Sequence, residues 1–286
     1  MKIIFRGTRG SLAAPGPETA RYGGNTACVE VRAADNSVLV LDAGTGIRRC
    51  GAALPASLRR VDILLTHLHM DHIQGLGFFR PLRTPGVEAH IWGPVSSTLS
   101  LHARLSRYLS PPLFPVRLRD LEAKVELHEV PCGSAQIGPF RMSAELICHP
   151  DAAVGYRLVS PEGSLAYLPD HEPALGVRDF PGSPDWTSGA ALAEGVDVLI
   201  HDAQYTDAEY PKRVGWGHSS LSQARAFAEL VGARHLVGFH HDPGRDDDDL
   251  DRMYADASTP ALSVTAAREG ATISPERTTA ATDGLR

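Results

Sequence analysis

The chain has 286 residues, 43% hydrophobic and 22% charged, with a formal net charge of −6. That length can bury a sizeable core, and no apolar run approaches the ~20 residues of a membrane-spanning helix. The acidic balance argues against DNA or long RNA as a partner, because such binding rests on Lys and Arg neutralising phosphates.

The opening "MKIIFRGTRGS" reads as a short strand without the apolar segment of an export signal, so a cytoplasmic protein is expected. Cys28, Cys50, Cys132 and Cys148 form no C-x-x-C pair and read as reduced, buried thiols. "GTRGS" and "RYGGNTACVEV" are glycine-rich loops beside strands. Their backbone N–H groups suit an anion, and Asn25 or Thr26 is a candidate contact to a substrate phosphate; plain turns are the equal reading.

One rhythm then repeats. A short β-prone apolar run ends, and a residue capable of chemistry follows at once. "SVLVLDAGTG" leads to Asp42, placed to hold a neighbouring loop, and "VDILLTHLHMDH" leads to His67, His69, Asp71 and His72. "FRMSAELICHPD" leads to His149, "GSLAYLPDHE" to Asp170, "VDVLIHDAQY" to His201 and Asp202, and "RHLVGFHHDP" to His240 and His241. Runs of four to seven apolar residues suit strands buried on both faces. Residues just past the ends of neighbouring buried strands converge on one sheet edge, where open sheets place ligands.

Helical patterns separate the runs. Residues 95–109 read as an amphipathic helix stopped by Pro111, Pro112 and Pro115, within an insert over about 94–118. Its Phe114 is a base-stacking residue or a packing residue, and the insert a lid or a dimer surface. Residues 219–232 have helical spacing, with Ser219 or Ser220 as cap and Gly232 past the end, and 247–256 suit a short helix with early acids. Residues 1–275 read as one α/β domain and 276–286 as a loose polar tail.

The cluster at 67–72 points to metal. Neutral imidazole and carboxylate are the usual ligands of zinc and its first-row neighbours. In H-x-H-x-D-H the two histidines two apart can grip one ion, and the Asp and His that follow point to a second. Two ions ~3.5–4 Å apart can hold a bridging hydroxide and clamp the attacking and leaving oxygens of a displacement. His149, Asp170 and His240, at other strand ends, supply the remaining ligands. Lone His90, His102, His128 and His235 read as structural, and His171 and His201 as groups that orient ligands.

"THLHMDH", with a later strand-end His, a strand-end Asp and a final strand-end His, resembles the metallo-β-lactamase superfamily, and within it the ribonuclease Z-like branch of phosphodiesterases. The resemblance implies an αββα sandwich of two mixed sheets with helices outside. It implies His67, His69 and His149 at a first metal, Asp71, His72 and His240 at a second, and Asp170 bridging the two. It prefers His240 to His241, and Asp170 to Asp202, as ligands. The two divalent ions would be zinc, with manganese or iron as alternatives. His218 in "WGHSS" is then the proton donor to the leaving oxygen, oriented by Asp202, with Asp71 completing the catalytic set. The other reading of His218 is a plain helix-start residue. Asp202 stands where the family has Glu, "YLPDHE" replaces its "GDT" and "FHHDP" its "THFS", and these departures bear most on the proton donor.

Fold alone does not settle the chemistry. The 46 residues after His240 are a poor match to the helical extension of a glyoxalase II. The RNA-gripping arm of ribonuclease Z lies between the counterparts of His149 and Asp170, and here only 20 residues separate them. The expected activity is therefore hydrolysis of a small phosphodiester such as a cyclic nucleotide. A lactone or ester hydrolase, and a metal-bound sensor without turnover, are the alternatives. Homodimers are common in the branch, so pairing is expected by analogy.

Overall fold

The computed structural model describes residues 1–131, 133–174 and 179–275. The segment read as a tail, 276–286, and Cys132 lie outside them. The first sheet contains β1 (Lys2–Gly7), β2 (Cys28–Arg32), β3 (Val38–Leu41), β4 (Arg60–Leu64), β5 (Glu88–Pro94) and β6 (Lys124–Val130), in that spatial order. The second runs from β7 (Ser134–Ile137) through β8 (Phe140–Leu146), β9 (Val154–Ser160), β10 (Gly163–Leu168), β11 (Val198–Asp202) and β12 (His235–Phe239) to β13 (Ser263–Ala266). The short β14 (Thr272–Ile273) returns to pair with β1.

Alternation along the strands explains the layering. In β3, Leu39 and Leu41 enter a central core between the sheets, while Val38 and Val40 enter an outer core beneath helices. A fully buried aliphatic side chain contributes about 1.5–3 kcal/mol, so a strand apolar on both faces is stable only between two layers. Under the first sheet's outer face lie α1 (Ile47–Ala53) and α3 (Leu101–Tyr108); between them in sequence is α2 (Met70–Ile73). Against the second sheet lie α4 (Ala190–Ala193), α5 (Leu221–Leu230) and α6 (Asp247–Tyr254). The result is the α/β sandwich of two mixed sheets with helices outside that the family resemblance implied. Two tyrosines tie its halves across the central core. Tyr156 donates to Leu65 O at 2.8 Å, and Tyr167 donates to Asp42 Oδ2 at 2.9 Å.

β3, β4 and β5 are parallel neighbours, as are β10, β11 and β12. β8 runs with β10 because two antiparallel pairings separate them. Their carboxyl ends therefore gather at one edge of the sandwich.

Two helix boundaries differ from the sequence reading. The helix expected over 95–109 begins at Leu101. Ser96 and Thr98 bond one another at 3.1 Å, and Ser100 caps the helix by accepting from Ala103 N at 3.2 Å. Such local hydroxyl bonds compete with helix and set its start. The helix expected over 219–232 spans 221–230, with Ser220 and Gln223 forming a capping box.

Candidate metal centre and its surroundings

The strand ends deliver two groups of donors. The loop after β4 carries His67 and His69, and His69 immediately precedes α2, which carries Asp71 and His72. His149 follows β8, Asp170 follows β10, and His240 follows β12 directly. His67, His69 and His149 form one set, and Asp71, His72, Asp170 and His240 a second, each with donor atoms within 4.8 Å of one another. His69 Nδ1 and His149 Nε2 are 3.3 Å apart. His72 Nε2 lies 3.0 Å from Asp170 Oδ1, and His240 Nε2 lies 3.2 Å from Asp170 Oδ2 and 3.1 Å from Asp71 Oδ2. Asp170 Oδ2 also lies 3.8 Å from His67 Nε2 and 3.9 Å from His149 Nε2, so it stands between the two sets.

The imidazoles are aimed by bonds at their other nitrogens. His72 Nδ1 donates to Asp42 Oδ2 at 2.8 Å, and His149 Nδ1 donates to Gly217 O at 2.9 Å. His240 Nδ1 meets Gln204 Oε1 at 3.2 Å. Asp42 also accepts from Thr66 N at 2.8 Å, which holds the backbone just before His67. Such partners fix ring orientation at metal sites. Close approach needs missing side chains: a Cβ on Gly10 would fall 2.2 Å from His240 Nδ1, and one on Gly217, whose φ is +84°, 2.4 Å from His149 Nδ1. His240 and Asp42 hold φ of 59° and 58°, a left-handed backbone that non-glycine residues seldom adopt.

The side chains present fit divalent cations. Asp42, Asp71, Asp170 and Asp202 are all buried, and among the described residues their ion-pair partners are histidines, never Lys or Arg. Buried carboxylates need compensating positive charge. Burial first, then His72, pushes His67 well below its ordinary pKa and keeps it neutral, as a ligand must be. Burial opposes a charge on His72, yet Asp170, Asp71 and Asp42 hold it well above its ordinary value. His67 Nε2 is buried without a hydrogen-bond partner and belongs to the first donor set.

His218 stands against both groups. Its ring stacks on His240 at 5.0 Å and meets His149 edge-on at 5.2 Å. Its Nδ1 donates to Asp202 Oδ2 at 2.6 Å, which leaves Nε2 as the free nitrogen. Burial works against its charge, but Asp202, then Asp170 and Asp71, raise its pKa to about 9. Asp202 Oδ1 accepts from Gln204 N and Ser219 N, both at 3.0 Å, so the carboxylate is itself fixed.

The remaining sequence candidates have varied surroundings. Thr26 is fully buried and bonded to Thr45, and Asn25 is half-buried and tied to Glu269 at 2.6 and 3.0 Å. His171 and His201 pair with each other at 2.8 Å beneath Phe227 and do not orient the ligand-type side chains. Phe114 is buried against Phe78 and Tyr108, which makes it a packing residue. His241 turns away, meeting Ala267 O at 2.8 Å, and burial pushes its pKa down to about 3.

Sequence reasoning missed Glu172. It is fully buried and accepts from Tyr210 Oη at 2.7 Å, Gly215 N at 3.0 Å and Gly217 N at 2.9 Å, anchoring the loop that supplies Gly217 O and His218. An acid two residues past Asp170 in "PDHE" was the available signal, but nothing local says what it faces.

A family model described as the beta-lactamase superfamily domain matches residues 38–241. A ribonuclease Z of Pseudomonas putida (strain KT2440) is 30% identical, covering 84% of this chain and 84% of the relative. Two solved structures share the fold. The metallo-β-lactamase fold protein YhfI from Bacillus subtilis has a TM-score of 0.71 at 19% identity, covering 95% of this chain and 98% of the other. A diphosphatase from the PhnP family has a TM-score of 0.68 at 20% identity, covering 96% and 98%. Among the described residues no helix is long and apolar enough to cross a membrane. The chain is a metal-dependent hydrolase and belongs to the metallo-β-lactamase superfamily, on its ribonuclease Z-like branch.

Proposed function

We propose that the protein is a di-metal phosphodiesterase acting on a small phosphodiester, with a cyclic nucleotide as the leading substrate class. The observation that carries this reading is Asp170 standing between two donor groups, with the His218–Asp202 pair against both. His67, His69 and His149 would hold one ion, Asp71, His72 and His240 the other, and Asp170 would bridge them; zinc suits the donors best, with manganese or iron as alternatives. The ions would supply Lewis acidity and water of lowered pKa. The protein's own groups do the rest. Asp202 keeps the proton on His218 Nδ1 and turns Nε2 outward, where it can protonate a leaving oxygen. Most of the donor side chains are buried, with His69 exposed and His218 half-buried. Between His149 and Asp170 the chain forms only the β9–β10 hairpin, which offers no arm for a long RNA. Among the described residues Cys28 and Cys50 are free and buried and Cys148 is free and half-buried, which fits a reducing cytoplasm.

A second reading, RNA cleavage, is favoured by the name and coverage of the Pseudomonas putida relative. One panel decides. Purified, metal-loaded protein is assayed on bis-p-nitrophenyl phosphate, 3′,5′- and 2′,3′-cyclic nucleotides, a lactone, a thioester and a tRNA precursor. Turnover of cyclic nucleotides above the others supports the proposal. Precursor cleavage with idle cyclic nucleotides, or lactone turnover alone, would replace it.

A further inference from the structure

Beside the first donor group the surface opens into a cleft of about 270 Å³, lined by His67 and His69 together with Arg104 and Arg107 of α3. Helix phase places the arginines. Leu101 and Leu105 are buried in the outer core, and Arg104 and Arg107, three residues apart, share an adjoining face. Ser96 and Thr98 add hydroxyls to the lining.

The two cations are under-compensated. Arg104 is 15% exposed, gives one terminal nitrogen to Pro94 O, and lies 3.7 Å from Glu129. Its Nε is buried without a partner. Arg107 is exposed and makes no hydrogen bond or ion pair among the described residues. The single acid in the lining, Asp151, is exposed as well. A guanidinium fork matches phosphate oxygens two at a time. In an acidic protein, two guanidiniums facing a cleft that ends at the donor cluster form a local exception to the overall charge.

We infer that this cleft is an anion subsite in which Arg107, backed by Arg104, holds a second phosphate group carried by the substrate beside its scissile diester. The inference rests on the phosphodiesterase reading and narrows it to small phosphodiesters bearing a further phosphate.

The test uses a matched pair, thymidine 5′-(p-nitrophenyl phosphate) with and without a 3′-phosphate, on the metal-loaded wild type, Arg107→Gln and Arg107→Lys. The wild type should favour the phosphorylated ester by about tenfold in kcat/KM, the worth of a charge-assisted hydrogen bond, mainly through KM. Arg107→Gln should bring that ratio close to one, and Arg107→Lys should keep part of it. In parallel, calorimetry measures pyrophosphate binding to metal-stripped protein, which Arg107→Gln should weaken by about tenfold. No phosphodiester turnover at all, with Arg107-dependent pyrophosphate binding, would remove the phosphodiesterase reading and leave the subsite standing. Equal pyrophosphate affinity in wild type and variant would overturn the subsite, as would a wild-type ratio near one. Arg107 dependence seen solely with an oligoribonucleotide would also overturn it, by assigning the cleft to a polymer.

Discussion

Asp170 and Asp202 are both buried carboxylates at the ends of neighbouring strands, yet they face different partners. Asp170 lies between the two donor groups, whereas Asp202 spends one oxygen on His218 and the other on two backbone amides. Asp170→Ala should therefore lose most bound metal and more activity than Asp202→Ala, which should keep its metal and lose about 10–100-fold, the usual effect of an orienting partner. Elemental analysis and kinetics check this, and equal losses with full metal in both variants would exchange the two roles. By the same geometry His240→Ala should lower metal content and His241→Ala should not, since His241 bonds Ala267 O instead. His218 carries the sharpest test. Its replacement by Ala should leave both ions in place, because Asp202 already occupies Nδ1. A ribose alkoxide leaves poorly without a proton and a p-nitrophenolate leaves readily. Cyclic-nucleotide hydrolysis should then fall by about 10²–10⁴-fold and the p-nitrophenyl ester much less. An equal fall on both esters would return His218 to a plain helix-start role.

At the scale of elements, the loop from Tyr210 to His218 matters most. It has little regular structure, and Glu172 replaces the missing ladder by accepting from Gly215 N and Gly217 N. Gly217 O in turn accepts a hydrogen bond from His149 Nδ1. Glu172→Gln offers an amide nitrogen where these backbone donors need an acceptor, so the loop should shift. The expected outcome is weaker metal binding by about 10–100-fold at the group containing His149, read by competition with a chromophoric chelator. Rescue by Glu172→Asp should be partial. A variant that merely melts earlier, with metal affinity unchanged, would reduce Glu172 to a packing role. The helices themselves were largely legible. Ser220 and Gly232 bracket α5 by their chemistry, and the acids of 246–249 mark the start of α6. The first turn expected for α3 was not, because the hydroxyls of Ser96 and Thr98 satisfy one another locally.

For the whole molecule, the cluster of buried acids makes stability depend on cations. An ion bound only by the folded chain adds RT ln(1 + [M]/Kd), about 2.7 kcal/mol at a hundredfold excess over Kd. Chelation should thus lower Tm by at least ~5 °C, at roughly 2–4 °C per kcal/mol, and refilling should restore it with close to two ions per chain. An unchanged Tm and a metal content near zero after refilling would sink the di-metal model. Much of this architecture could be read in advance from the chain. Alternating and continuous apolar runs report burial directly, and metal chemistry uses few residue types, so "THLHMDH" and the later strand-end His and Asp residues stood out. The tertiary structure decided which of two adjacent residues faces inward. His240 turns toward Asp71 through a φ of 59°, while His241 turns away, and His171 and His201 find each other rather than the donors. It also decided what Glu172, Asn25 and Thr26 touch, and that Arg104 and Arg107 share a cleft with His67. The physical reason is range. Burial and ligand type are properties of a residue and its immediate neighbours, whereas the direction of a side chain depends on one backbone dihedral and on partners tens of residues away.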